Sequence, residues 1–490
     1  MNDQEKQNEN SIAKQYINVN SSVTILFGSV IDVGIYNLEI EYSAKFRRDL
    51  MGCYTFNYKK KNGQFGIGCA TQFEAAFARA AFPCVDQPNA KSIFTIHITH
   101  PSSVTALSNM PVSNIEKDIG EHHQYSKTTF IPSPIMSSYL VAWVVAQFDT
   151  VSSSCYDGKL PVRFYTLPDK SQQVSFALSI AVQTIEFMTQ YTEIPIPLPK
   201  MDLVTIPQFV SGGMENWGLI IFQENFMLVD SNTTSNQRLY YVAYLTCHEV
   251  VHQWAGNLVT MSWWNDLWLN EGFATFLGEY ILNKIHPEFN CWNHFQTHER
   301  NNALRLDSKE NEAHPIEVQV PRANLADSIF DAISKSQQQV ILKVEEDGDI
   351  KYEENDSKEK KKEDEDQIWW IPLTLYVMWE GQEKPIKQIF ELTKKKQLIK
   401  LRPPPLKEKK EVELEIEVDT LEKKQVQKLL WIKVNVEYTG YYQVHYEDEW
   451  ILNSLALEMR HEGRGESNLP ESDRLGLQSE LFSLCDISEG

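Results

Sequence analysis

The run TCHEVVHQWAGN, residues 246–257, sets His248 and His252 four positions apart, with Glu249 directly after the first. On a helix, residues i and i+4 share one face a turn apart, so two imidazoles at that spacing can hold one metal ion. Glu249, one position on, reaches a water on that ion without ligating it. This is the HExxH pattern of zinc hydrolysis, with Glu249 as the catalytic base. Such a site takes three protein ligands and leaves a fourth position for water. Glu271, with eighteen residues between it and His252, starts a second helical run, LNEGFATFLGEY, and is the third ligand candidate. The alternative role for Glu271 is a helix N-terminal acid that satisfies the macrodipole. The predicted metal set is His248, His252 and Glu271, holding one Zn2+ per chain. Cys247 points about 100° away around the helix and is not a ligand.

These side chains need elements to hold them. Apolar residues recur at helical spacing over 170–191, 236–255 and 271–285, and Ala255-Gly256-Asn257 lets the chain turn back between the last two. Residues 160–340 therefore read as a mixed α/β, helix-rich block that carries the chemistry. Before it, SIFTIHITH (92–100) alternates apolar and polar, LVAWVVAQFD (140–149) is β-rich, and Asn62-Gly63 marks a hairpin turn. An antiparallel β domain is expected there. After the block comes a charge run, KVEEDGDIKYEENDSKEKKKEDEDQ (343–367), expected to be a solvated linker. A second charged stretch, 401–425, contains the stiff break Pro403-Pro404-Pro405. WWIPLTLYVMW and WIKVNVEYTGYYQVHY read as strands of a small β-sandwich. The tail SDRLGLQSELFSL, capped by Ser472 or Asp473, reads as a first helix with nothing to pack against.

Composition narrows the function class. The net charge of −21 argues against nucleic acid as a partner. Seven scattered cysteines without CxxC spacing suggest reduced core thiols and a cytoplasmic location. The polar N-terminal twenty residues show no apolar leader, and the longest apolar stretch, from Tyr139, is too short to span a bilayer. The expectation is a soluble protein, provided the chain is complete at its start. Oligomeric state is not readable.

The segments HEVVHQWAGNLVTMSWW and LWLNEGFATF together resemble the gluzincin zinc aminopeptidases, in the branch of the puromycin-sensitive and aminopeptidase N enzymes. VSGGMENWGLIIFQE (210–224) resembles that family's exopeptidase motif, with Gly213 where alanine is usual. ATQFEAAFARAAFPCVDQP (70–88), DAIS (331–334), WIKVNVEYTGYYQVHY and SDRLGLQSELFSL match as well. The resemblance implies a multidomain α+β protein. Its parts would be an N-terminal antiparallel, saddle-like β domain (1–158), a thermolysin-like α/β catalytic domain (159–342), the linker (343–367), a small β-sandwich (368–448) and the beginning of a C-terminal helical domain (449–490).

By the same resemblance the substrate is a peptide with a free N-terminus, whose ammonium is held by Glu215 and Glu74. Gly212, Gly213, Met214 and Asn216 would present the neighbouring substrate-binding groups. Anchoring the amine at a set distance from the metal limits cleavage to the first residue. Two departures stand out. The tyrosine that follows DAIS in the family, an oxyanion donor, is Lys335 here. Helices that wall the site in the family, and its first strands, are missing, so the chain reads as a shortened member. Rival readings are a catalytically dead zinc- and peptide-binding homologue and an epoxide hydrolase of the same superfamily.

Overall fold

The structure is a computed structural model. It describes residues 15–19, 22–27, 30, 32–120, 124–307, 309, 314, 318–323, 325–326, 338–344, 349–353, 371–392, 398–401, 428–436, 442–446, 449–459 and 468–478. Lys335, the DAIS segment, Pro403-Pro404-Pro405, Cys485 and most of both charged stretches lie outside these residues. The chain divides into two compact units, Met1–Trp263 and Trp264–Gly490.

The first unit opens on β structure. Strands Gly52–Lys59 and Phe65–Gln72 form the expected hairpin around Asn62-Gly63, where Gly63 takes a φ of +82° that the turn demands. They continue into a four-stranded antiparallel sheet through Trp143–Ala146 and Thr105–Ser108. Alternation is visible in the hairpin, where Tyr54, Phe56 and Tyr58 are buried and the residues between them face outward. A separate three-stranded sheet holds His97–Pro101, Tyr125–Phe130 and Val112–Ile119. Residues 93–96, expected as strand, carry no ladder; Phe94 instead bonds the Ser133 hydroxyl.

A five-stranded mixed sheet follows. Its order is Asp149–Cys155, Leu160–Thr166, Met201–Ile206, Leu219–Gln223 and Gly213–Met214. The second, third and fourth strands are parallel, and the last is antiparallel to its neighbour. All six residues of Met201–Ile206 are buried, as a central parallel strand requires. Helix α1 (Ser175–Thr192) is the crossover between the second and third strands. Helix α2 (Asn236–Val251) begins at Ser235, whose side-chain oxygen accepts the Arg238 backbone N–H. It ends four residues before the break expected at Ala255. The Thr184 hydroxyl of α1 lies 3.3 Å from the Cys247 thiol of α2. Cys247 is thus a core residue, turned away from the metal candidates.

In the second unit, helix α3 (Leu267–Ile285) starts four residues earlier than the 271–285 pattern, after a short 3-10 turn at Trp264–Asp266. Glu271 is therefore the fifth residue of the helix, past the first turn where a macrodipole acid would sit. Further along, Gln338–Val344 and Asp349–Glu353 pair as antiparallel strands. Strand structure at 343–344 and 349–353 corrects the expectation of a solvated linker there. The alternation of Ile350 and Tyr352 with polar neighbours within a charged run supplies the reason. These strands join Leu398–Lys400 and Tyr442–Tyr446 in one sheet, while Ile386–Leu392, Ile371–Trp379 and Leu429–Val434 form another.

Leu373, Leu375, Val377, Ile432 and Val434 share a core with Val444 and with Ile451 and Leu455 of helix α4 (Glu449–Met459). Leu469 and Leu477, which flank and lie within the helical turn 471–478, belong to that same core. Asp473, fully buried, lies 3.5 Å from the equally buried Lys433 ammonium. The tail helix was expected to have nothing to pack against; it packs on the sheet below it. Among the described residues, no helix is long and apolar enough to cross a membrane.

Candidate metal and peptide site

His248 lies in the last turn of α2, and His252 is the cap residue, still in helical conformation at φ −54° and ψ −24°. The i, i+4 relation therefore survives the end of the helix. His252 Nδ1 is 3.0 Å from the Ala255 carbonyl oxygen, a contact that only an N–H can make. That fixes the tautomer and leaves Nε2 with its lone pair. This Nε2 is 3.1 Å from the Nε2 of His248. Two imidazole nitrogens bound at about 2.0–2.1 Å in a tetrahedral site stand about 3.3 Å apart, so the pair has the spacing of co-ligands. The ligand atoms of His248, His252 and Glu271 all lie within 4.8 Å of one another. Two imidazoles and a carboxylate form a donor set that fits zinc.

Glu249 is buried on the same helix and presses on Gly213 of the short strand Gly213–Met214. A Cβ built at Gly213 would stand 2.4 Å from Glu249 Oε1 and 2.6 Å from its Cδ. The glycine thus makes room for close approach of the carboxylate and has no unusual φ. A Cβ at Gly212 would meet Leu245 side-chain atoms at 3.3 Å and the Tyr241 hydroxyl at 3.4 Å, both on α2. The ring of Tyr244, one turn before His248, lies 5.9 Å from that imidazole.

The loop carrying Glu215 is held by buried side chains. The Glu215 carbonyl accepts from Gln253 Nε2 at 2.9 Å and from Asn257 Nδ2 at 2.7 Å. The Gly218 N–H donates to Gln253 Oε1 at 3.2 Å. Asn109 Nδ2 donates to the Trp217 carbonyl at 3.0 Å, and Lys200 Nζ to the Gly218 carbonyl at 2.6 Å. Lys200 is 2.9 Å from Asp202, yet full burial still pulls its pKa below the usual lysine range. The carboxylate side chain of Glu215 is itself buried, as is the Asn216 amide.

Glu74 is buried in the turn after strand Phe65–Gln72. Gln72 Nε2 reaches Met214 Sδ at 3.3 Å, which brings the Glu74 segment against the Glu215 loop across 142 positions of sequence. Lys91 and Tyr139 tie the β region to the turn after α2 through carbonyls 256–258. Of the anticipated residues, the structure therefore groups His248, His252 and Glu271, sets Glu249 against Gly213, and joins the Met214 and Glu74 segments. Sequence reasoning missed Gln253, Asn257, Asn109 and Lys200. Two of them sit inside TCHEVVHQWAGN, and a polar amide directly after a metal-site histidine is the signal that was available.

Comparison with known proteins assigns the chain to one family. Residues 176–346 match the Peptidase family M1 domain, and residues 1–140 match the Peptidase M1 N-terminal domain. Aminopeptidase M1-A of Oryza sativa subsp. japonica is 33% identical over 510 residues, covering 94% of this chain and 56% of the relative. The puromycin-sensitive aminopeptidase of Caenorhabditis elegans is 38% identical over 324 residues, 66% of this chain and 34% of the relative. The alanine/arginine aminopeptidase of Saccharomyces cerevisiae is 42% identical over 308 residues, 63% and 35% respectively. The matched part thus spans from about a third to just over half of these relatives' own lengths.

Proposed function

The chain belongs to peptidase family M1, whose members are zinc metallopeptidases, and from that premise we propose that it is a zinc-dependent aminopeptidase removing the first residue from peptides. His248 Nε2, His252 Nε2 and the Glu271 carboxylate would hold one zinc ion. When bound, zinc supplies Lewis acidity that brings the pKa of a water towards neutrality and polarises the scissile carbonyl. Glu249 takes the proton of the attacking water and returns it to the leaving nitrogen. Glu215 and Glu74 hold the substrate ammonium, whose three donors and single charge suit paired carboxylates. The 212–214 backbone, which its glycines let come close to neighbouring groups, lies along the peptide.

The observation that carries this reading is the convergence of two imidazoles and a carboxylate, with Glu249 on the same helix as the imidazoles. The test is zinc content by elemental analysis together with hydrolysis of an aminoacyl anilide and its N-acetyl counterpart. Turnover of the free amine only, lost in Glu249→Gln with zinc retained, is expected. Equal cleavage of the acetylated substrate would remove the roles given to Glu74 and Glu215.

Lys335 favours a second reading, a homologue that binds zinc and peptide without turnover. Losing an oxyanion donor costs about a hundred- to a thousand-fold in rate, and a flexible, hydrated ammonium is a poor preset replacement for a phenol. Bound zinc and measurable peptide affinity with no turnover in the wild-type chain would select it.

A further inference from the structure

One carboxamide joins the backbones of the two residues that must act at a set separation. Gln253 Nε2 donates to the Glu215 carbonyl at 2.9 Å and to the Glu249 carbonyl at 3.2 Å, while its Oε1 accepts the Gly218 N–H at 3.2 Å. Both N–H groups and the oxygen are thus engaged, and the side chain is fully buried. Asn257 adds a second donor on the Glu215 carbonyl. We infer that Gln253, supported by Asn257, is a positioning residue that sets the span between the amine-binding carboxylate of Glu215 and the base Glu249.

The proposal deepens the aminopeptidase reading and rests on it. If Glu215 holds the substrate ammonium and Glu249 serves the scissile bond, their separation is the ruler that admits one residue between them. The other buried contacts of the loop come from elsewhere: Asn109 and Lys200 fasten Trp217 and Gly218 to the β region and the sheet. Gln253 differs in spanning from the loop to the backbone of the base itself. A hydrogen bond within a helix end and a hydrogen bond to the loop meet on one nitrogen, so the loop cannot shift along α2 without breaking one of them. Lower-dielectric surroundings make both bonds costly to lose.

Two substitutions separate positioning from bulk packing. Gln253→Met keeps the volume and removes all three bonds. Gln253→Glu keeps an acceptor for the Gly218 N–H but turns a carboxylate oxygen towards two carbonyls. In the zinc-loaded full chain, the readout is the ratio of first-residue release to dipeptide release from a hexapeptide with a free N-terminus. A loop displaced by about 1 Å lowers cleavage of the first bond about a hundredfold, and cleavage of the second bond, which the wild-type span disfavours, escapes that penalty. The ratio is therefore expected to fall between ten- and a hundredfold in both variants. A general folding defect lowers both rates together and leaves the ratio unchanged, and that result overturns the proposal.

A second measurement does not depend on turnover. In the metal-free chain, exchange of the Gly218 amide hydrogen is expected to accelerate at least tenfold in Gln253→Met; unchanged protection overturns the latch. If the wild-type chain does not cleave the hexapeptide, the aminopeptidase reading fails, and this exchange measurement still decides whether Gln253 holds the loop. If Gln253→Met does not fold, Asn257→Ser removes one donor from the Glu215 carbonyl and carries the same two readouts.

Discussion

Replacing Gly213 with alanine puts a methyl group where the Glu249 carboxylate now lies. The added Cβ would stand 2.4, 2.6 and 2.7 Å from Glu249 Oε1, Cδ and Cγ, against an ordinary contact of 3.4 Å. The carboxylate must therefore retreat by about 1 Å, since the methyl is rigid and the glutamate end is the flexible partner. A displacement of that size at a reacting group costs about a hundredfold in rate, equivalent to about 2.7 kcal/mol. Gly213→Ala should thus lower kcat/KM for an aminoacyl anilide about a hundredfold, while zinc content and melting temperature stay at wild-type values. The resemblance to enzymes that carry alanine at this position sharpens the test. A rate equal to wild type would mean that Glu249 does not act from the observed position. A rate above wild type would mean that glycine lets the base sink away from its working place. Either result refutes the geometry proposed for Glu249.

Other expectations follow from particular side chains. Lys335→Tyr should raise kcat by about a hundred- to a thousandfold if the missing phenol limits the chain, measured as steady-state anilide hydrolysis; no change removes that explanation. Asp473→Ala leaves the fully buried Lys433 ammonium without its nearby carboxylate and should destabilise the second unit by about 3–5 kcal/mol in urea unfolding. A loss under 1 kcal/mol would mean the pair contributes no more than a surface ion pair. Burial pushes the Cys155 thiol up to about 12, so at pH 8 its reactive thiolate is about one part in ten thousand. Hydrogen bonding from the Cys69 thiol holds Cys53 below its ordinary value, and iodoacetamide should modify Cys53 ahead of Cys155. Mass spectrometry finding Cys155 alkylated as fast as Cys53 would contradict this.

Local chemistry was legible before any coordinates. The four-residue spacing of His248 and His252, the Asn62-Gly63 turn and the helical periodicity of α1 to α3 are properties of neighbouring residues, and the backbone realises them within a few positions. Element ends were less legible. Helix α2 stops at Val251 because the chain turns into contacts with Val259, Lys91 and Tyr139, none of which a window of periodicity contains.

By itself, then, the sequence determined which atoms can hold a metal and take a proton: spacing along a helix is enough to put two imidazoles on one face and Glu249 beside them. Only the tertiary structure decided where the Glu215 loop rests, because its partners come from positions 38, 42 and 108 residues away. It also decided that Gly213 gives room to Glu249 and that the tail helix buries Leu469 and Leu477. Contacts of that kind depend on how distant surfaces meet once water is expelled, and no local pattern encodes them.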